Sequence, residues 1–152
     1  MRDRAAEGWL HQGGATIVEF ALLLPLIMAL LLGVFTGGHA YFRKITVTDA
    51  VREGARYGAS LVDDASWVSG VKARVASSSG GELATSQVCA ALVTVDTTTP
   101  DTTCGVDDPP GSDGQKVVKV SAAKAAKLEY FFGSRNLTLR GEAAALYERI
   151  AG

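Results

Sequence analysis

Gly14-Ala-Thr-Ile-Val-Glu19-Phe20, running straight into Ala-Leu-Leu-Leu-Pro25-Leu-Ile-Met-Ala-Leu-Leu-Leu-Gly-Val-Phe35, is the stretch on which the fold turns. Sixteen residues from Phe20 to Phe35 carry no side-chain charge or amide, and reaching back to Ile17 gives nineteen interrupted only by Glu19. An α-helix needs about 20 apolar residues to cross a hydrocarbon core of about 30 Å. A helix on a soluble core would keep one polar face. No face is polar here, so the segment predicts a membrane-spanning helix over about residues 17–35.

The rest of the 152-residue chain leaves room for one modest domain of under ~100 residues. Fifteen basic residues against sixteen acidic ones, a net charge of −1, give no clustered basic face and so no support for a nucleic-acid partner. Cys89 and Cys104 lie well beyond the apolar run, while His11 and His39 lie before it and at its edge. That separation excludes a four-ligand zinc site. In an extracytoplasmic domain the two cysteines read as one disulfide, with two free thiols as the alternative. A bridge would close about 15 positions and contribute about 3 kcal/mol in a chain-entropy treatment. No Ser/His/Asp set, metal cluster or phosphate loop is present, so neither an enzyme nor a cofactor is expected.

Arg2 and Arg4 ahead of an apolar run also suit a secretory signal peptide, and Gly38-His39-Ala40 would place small residues at its cleavage site. Against this, Glu19 stands where the hydrophobic region should begin, and the run exceeds the usual 7–15 residues. The positive-inside rule points the other way from the cysteines. Arg43, Lys44, Arg52 and Arg56 follow the span and outnumber Arg2 and Arg4, which would put the C-terminal side in the cytoplasm. Glu19 is the informative residue, because a carboxylate at the edge of a bilayer either stays at headgroup level or needs a partner.

Gly14 followed by Ala15-Thr-Ile-Val-Glu19-Phe20 resembles the processing site of type IV prepilins, in the form typical of Flp-type pilins and pseudopilins. The longer run to Leu26, with Thr46-Val-Thr-Asp-Ala-Val-Arg-Glu-Gly-Ala-Arg-Tyr-Gly-Ala59, is similar to the TadE-like family, minor pilins or pseudopilins of the tight-adherence (Flp, type IVb) pilus machinery. The likeness is close over residues 13–59 and loose elsewhere. It implies an α+β, type IV pilin-like fold, a long N-terminal transmembrane helix packed on a small antiparallel sheet. It divides the chain into a leader (1–14), a helix (15–60) and an extracytoplasmic domain (61–152).

The same resemblance implies cleavage between Gly14 and Ala15 by a membrane-embedded prepilin peptidase, with Glu19 and Phe20 recognised in processing and assembly. A glycine gives the protease backbone access without a side chain. The Glu19 carboxylate would then meet the new α-amine of a neighbouring subunit, a charge-assisted pair strengthened by low dielectric. Expected partners are the prepilin peptidase, other pilin or pseudopilin subunits, the secretion platform and the membrane. Two rival readings remain: an uncleaved, membrane-anchored extracytoplasmic interaction domain, and a secreted domain released after Ala40.

Pro25 lacks the N–H that would bond to the Ala21 carbonyl, so a kink is expected there, and a second bend at Gly37-Gly38. Tyr41, Phe42, Arg43 and Lys44 suit an interfacial belt. Residues 45–59 have helical period, with Val47, Val51 and Ala55 on one face and i,i+3 pairs Asp49–Arg52 and Glu53–Arg56 on the other. Gly54, Ala55, Gly58 and Ala59 would admit close approach, by the chain's own domain or by a neighbouring subunit. Asp63-Asp64-Ala65-Ser66 caps a second helix at 67–77, with Trp67, Val68, Val71 and Val75 apolar. Strands are expected at 88–95, from 116 to 122 or on towards 128, and at 136–147, with Phe131-Phe132 connecting the last two. Residues 97–114 read as a loop, in which Asp107, Asp108 and Asp113 form a solvated turn rather than a calcium site. Asn136-Leu-Thr138 matches a glycosylation triplet by chance.

Overall fold

The structure, a computed structural model, describes residues 7–96, 102–109, 113–130 and 133–148, with backbone alone for 7–15, 129 and 130. Phe131-Phe132, part of the 97–114 loop, and Arg2 and Arg4 lie outside the described residues. Helix α1 (Glu7–Ser60) is followed by α2 (Trp67–Ser78), β1 (Val88–Thr94), β2 (Lys116–Tyr130) and β3 (Gly133–Leu146). The strands form one antiparallel sheet in the order β1-β2-β3, an α+β arrangement as expected from the sequence.

Two boundaries differ from expectation. The helix starts at Glu7, well before Ala15, because residues 7–14 contain no proline and a glycine costs only about 1 kcal/mol in a helix. It also continues through Pro25 and Gly37-Gly38. The hairpin is longer than expected, since β2 and β3 stay in register from Val117↔Leu146 to Tyr130↔Gly133. Cross-strand bonding carries Gly133 to Arg135 into the strand despite their weak strand preference.

The outer half of α1 and all of α2 cover one face of the sheet. Val47, Ala50, Val51 and Ala55 of α1 pack with Trp67, Val71 and Val75 of α2 and with Val88, Val118 and Val120 of the sheet. Val68, apolar like its neighbours on α2, is exposed. Small residues set the spacing. A Cβ on Gly54 would lie 2.1 Å from Val75 Cγ2, and one on Gly58 would lie 2.9 Å from Val71 Cγ2 and 3.0 Å from Trp67 Cζ2. The Gly54/Gly58 pair therefore serves packing within the chain.

The end of α1 is closed by side chains from distant elements. Trp67 Nε1 donates to the Gly58 carbonyl at 2.9 Å, and Tyr147 Oη donates to the Leu61 carbonyl at 2.9 Å. Both oxygens sit where a helix runs out of its own donors. Ahead of α2, Asp64 Oδ1 accepts from the Ser66 N–H at 2.8 Å and its hydroxyl at 2.7 Å, which holds the Asp64 carboxyl below its ordinary range. Ser66 itself, at the cap position, makes no side-chain capping bond. Glu53 pairs with Arg74 of α2 at 2.6 Å rather than with Arg56, and the guanidinium lies 5.6 Å from the Tyr57 ring centroid. Arg74, on the packed helix, brings two donors, Nε at 3.2 Å and Nη2 at 2.6 Å, to the one oxygen Oε1 of Glu53. Asp49 and Arg52 do approach, at 3.9 Å.

The other face of the sheet is covered by the segment after β1. Cys89 and Cys104 are joined by a disulfide with Cα atoms 5.5 Å apart, and Ser121 Oγ donates to the Cys104 carbonyl at 2.7 Å. Beneath this flap Val117 and Lys119 are fully buried, and Lys119 Nζ meets Asp108 Oδ1 at 2.7 Å. Asp108 thus leaves the solvated turn expected of it, because a buried ammonium needs a counter-charge. Among the described residues no group of three potential ligands could hold a metal.

The tight seam predicts that Gly54→Ala destabilises the chain. The gain in helix propensity, about 1 kcal/mol, is outweighed by about 1–3 kcal/mol of overpacking against Val75. Denaturant unfolding of the full chain in detergent should show this loss. Against a Val75→Ala background the same substitution should become neutral or stabilising.

Candidate functional site

The site is α1 below its packed half. Apart from the Ala21 carbonyl, which faces Pro25 and so lacks its helical donor, its backbone bonds are satisfied within the helix, the condition for a segment without water around it. From Ile17 to Phe35 the large apolar side chains point outward, with Ile17 69%, Leu22 73% and Phe35 76% exposed. The most apolar window of Thr16–Ser60 has none of its residues buried in the fold. Apolar surface of this extent, each Å² worth roughly 25 cal/mol on removal from water, calls for lipid or protein around it. Thr36, just past the run, turns its hydroxyl back to the Leu32 carbonyl at 2.7 Å, so the helix satisfies it without solvent.

The residues expected to act in processing are all on this helix. Gly14 and Ala15 lie within its first part, and Glu19 and Phe20 are exposed about one turn further on. Pro25 is also exposed on the same segment. Tyr41 and Phe42 are exposed above the run, with Lys44 beside them. Helix geometry brings Ala15 and Glu19, four residues apart, onto one face.

Where the helix leaves the apolar run, the hairpin comes alongside it. Glu82, in the loop after α2, joins the two. Its carboxylate accepts from Lys124 Nζ of β2 at 2.7 Å and lies 3.6 Å from Arg43 Nε of α1. Lys124 Nζ donates to the Glu82 carbonyl as well. The hydrogen bond from Lys124 holds the Glu82 carboxyl below its ordinary range; burial opposes this, and the charges of Lys124, Arg43 and His39 add to it. Just beyond this clamp a groove of about 280 Å³ opens between α1 and the hairpin, with Phe35, His39 and Arg43 on one side and Leu128, Leu137 and Leu139 on the other. Sequence reasoning did not find the Glu82 clamp or the Lys119–Asp108 pair. The lysine in the valine-rich run Lys116-Val-Val-Lys-Val-Ser was the only signal, because strand alternation turns Lys119 to the side of Val117.

A single long helix with a bare apolar half carries a small α+β head, and α1 is a candidate membrane span, consistent with a membrane-anchored class of protein. Residues 14–56 match the family model described as TadE-like protein, the family that the sequence itself resembles. That family is one of pilus components, and the match lies wholly within α1. No curated protein and no solved structure matches the chain.

Because the folded pKa of Glu82 lies below the unfolded value of about 4.3, its contribution is fully present above that value. It is lost as pH falls through the folded pKa. In acid unfolding of the full chain in detergent, Glu82→Gln should lower stability at neutral pH and make the loss below about pH 4 shallower than in the wild type.

Proposed function

We propose that the chain is a minor pilin or pseudopilin of a Flp-type (tight-adherence) pilus, processed by a prepilin peptidase after Gly14 and taking part in pilus assembly or adhesion. The observation that carries the reading is the family match, which begins at Gly14 and spans the helix with the bare apolar half. Cleavage requires an extended substrate, whereas the backbone at Gly14 is helical. Gly13 and Gly14 each weaken a helix by about 1 kcal/mol relative to alanine, so this end opens at small cost.

Cleavage would create an α-amine on Ala15 one turn below Glu19. In an assembly of parallel helices the Glu19 carboxylate of one subunit meets the amine of the next, and a mis-registered subunit leaves both charges unpaired in low dielectric. Pro25 leaves the Ala21 carbonyl without its helical partner and provides a weak point where the helix bends on leaving the bilayer for a filament. The domain beyond residue 60 lies outside the cytoplasm in this reading, supported by its disulfide, a bond that persists in oxidising compartments. The partners are the peptidase, other pilin or pseudopilin subunits and the secretion platform.

Expression with and without a prepilin peptidase, followed by mass spectrometry of the N-terminus, tests the reading. A chain beginning at Ala15 is expected only when the peptidase is present; retention of residues 1–14 would instead favour a permanent anchor. Glu19→Ala should leave membrane insertion intact and reduce incorporation into assemblies by an order of magnitude or more. Normal incorporation would remove the pairing role.

A further inference from the structure

The hairpin runs the length of the outer helix and ends level with the top of the apolar run. Near its start Val118 approaches Gly58, and midway Gly141 approaches Val47. At its far end Leu128 and Leu137 share a groove with Phe35 and Thr36. From Val118 to Leu128 the strand advances about 33 Å at 3.3 Å per residue. From Gly58 to Thr36 the helix advances about 33 Å at 1.5 Å per residue. The two therefore keep pace. The last pair, Tyr130↔Gly133, lies two residues further along the hairpin, a strand rise of about 7 Å beyond Leu128.

The chemistry at this level is two-sided. Leu128, Leu137 and Leu139 present an apolar wall towards the helix. Around it, residues 36–48 of α1 and 124–140 of the hairpin carry six Lys and Arg against one carboxylate, Glu129; Glu82 adds a second. The strand backbone at the tip cannot enter hydrocarbon, where unpaired N–H and C=O groups have no partner. It can lie among headgroups, a layer several Å deep on each side of the hydrocarbon core.

Resting on the reading of residues 17–35 as the span, we propose that the hairpin end and the adjoining groove bind an anionic phospholipid at the outer edge of the membrane. An acyl chain continues from the bilayer along Phe35 into the leucine-lined groove. The headgroup meets the cations of the rim, among them Lys127 and Arg135. Continuity with the bare apolar helix and the excess of positive charge select this occupant over a second copy of the chain, whose own hairpin end would bring the same charge sign. Lipid binding would fix the height and tilt of the head above the bilayer.

The wild-type chain has two cysteines, joined to each other, so one added cysteine is a unique label site. Full-length protein carrying a fluorophore at Leu24→Cys, Ser134→Cys or Ser60→Cys would be reconstituted in vesicles of phosphatidylcholine alone or mixed with phosphatidylglycerol. Quenching by lipids spin-labelled at the headgroup and upper acyl chain is then read. The Leu24 label should be quenched in both compositions and the Ser60 label in neither. The Ser134 label should be quenched several-fold more with phosphatidylglycerol, and Lys127→Glu with Arg135→Glu should reduce it to the Ser60 level while Leu24 stays quenched. Ser134 behaving like Ser60, or being quenched equally in both lipids, would overturn the proposal. So would proximity between Ser134 labels on different chains without lipid quenching, which would mark a second copy as the occupant. An unquenched Leu24 label would instead overturn the span itself.

Discussion

One continuous helix has to satisfy two surroundings, and every other element is placed by that constraint. Along residues 17–35 α1 offers only its own backbone hydrogen bonds and a shell of apolar side chains. From Val47 to Gly58 the same helix becomes the spine of a domain, and its small residues let α2 approach until Val75 touches the Gly54 backbone. A single helical geometry serves both because its main-chain groups, the Ala21 carbonyl opposite Pro25 apart, are paired within the helix until the last turn. There, an indole and a phenol from elsewhere in the fold supply donors to the Gly58 and Leu61 carbonyls.

Around Val117–Val120 the sheet is buried on both faces by different means, while further along the hairpin Ala123, Ala125, Thr138 and Arg140 are exposed. Towards the helices it presents valines and alanines, and burial of these supplies the domain's apolar core. Towards the other side it has too little chain to build a second layer, and a disulfide-held flap does the work. That flap leaves Lys119 without solvent, which the Asp108 carboxylate offsets. The arrangement suits an oxidising compartment, where the Cys89–Cys104 bond is maintained and the flap stays closed over the ammonium.

For function, the long hairpin matters as much as the helix. A head attached only through the outer part of α1 would pivot on one contact line. With β2 and β3 running back along the helix, and Glu82 holding both Arg43 and Lys124, the head is braced against its own stalk. Such bracing makes the position of the head follow from the position of its helix.

The sequence by itself determined the apolar run, the family likeness, the helix and the approximate strands, and it singled out the two cysteines that the structure joins. These follow from local chemistry: a run without polar groups, a processing-like motif, alternation at period 2 or 3.6, and a chain with two cysteines. Tertiary structure alone decided which partners the charges take and how far the hairpin reaches. Glu53 turned from Arg56 to Arg74, Asp108 from solvent to Lys119, and Gly133 from connection to strand. Each outcome depends on a residue more than ten positions away or on bonding across strands, and pair energies of this kind have no signature in local spacing.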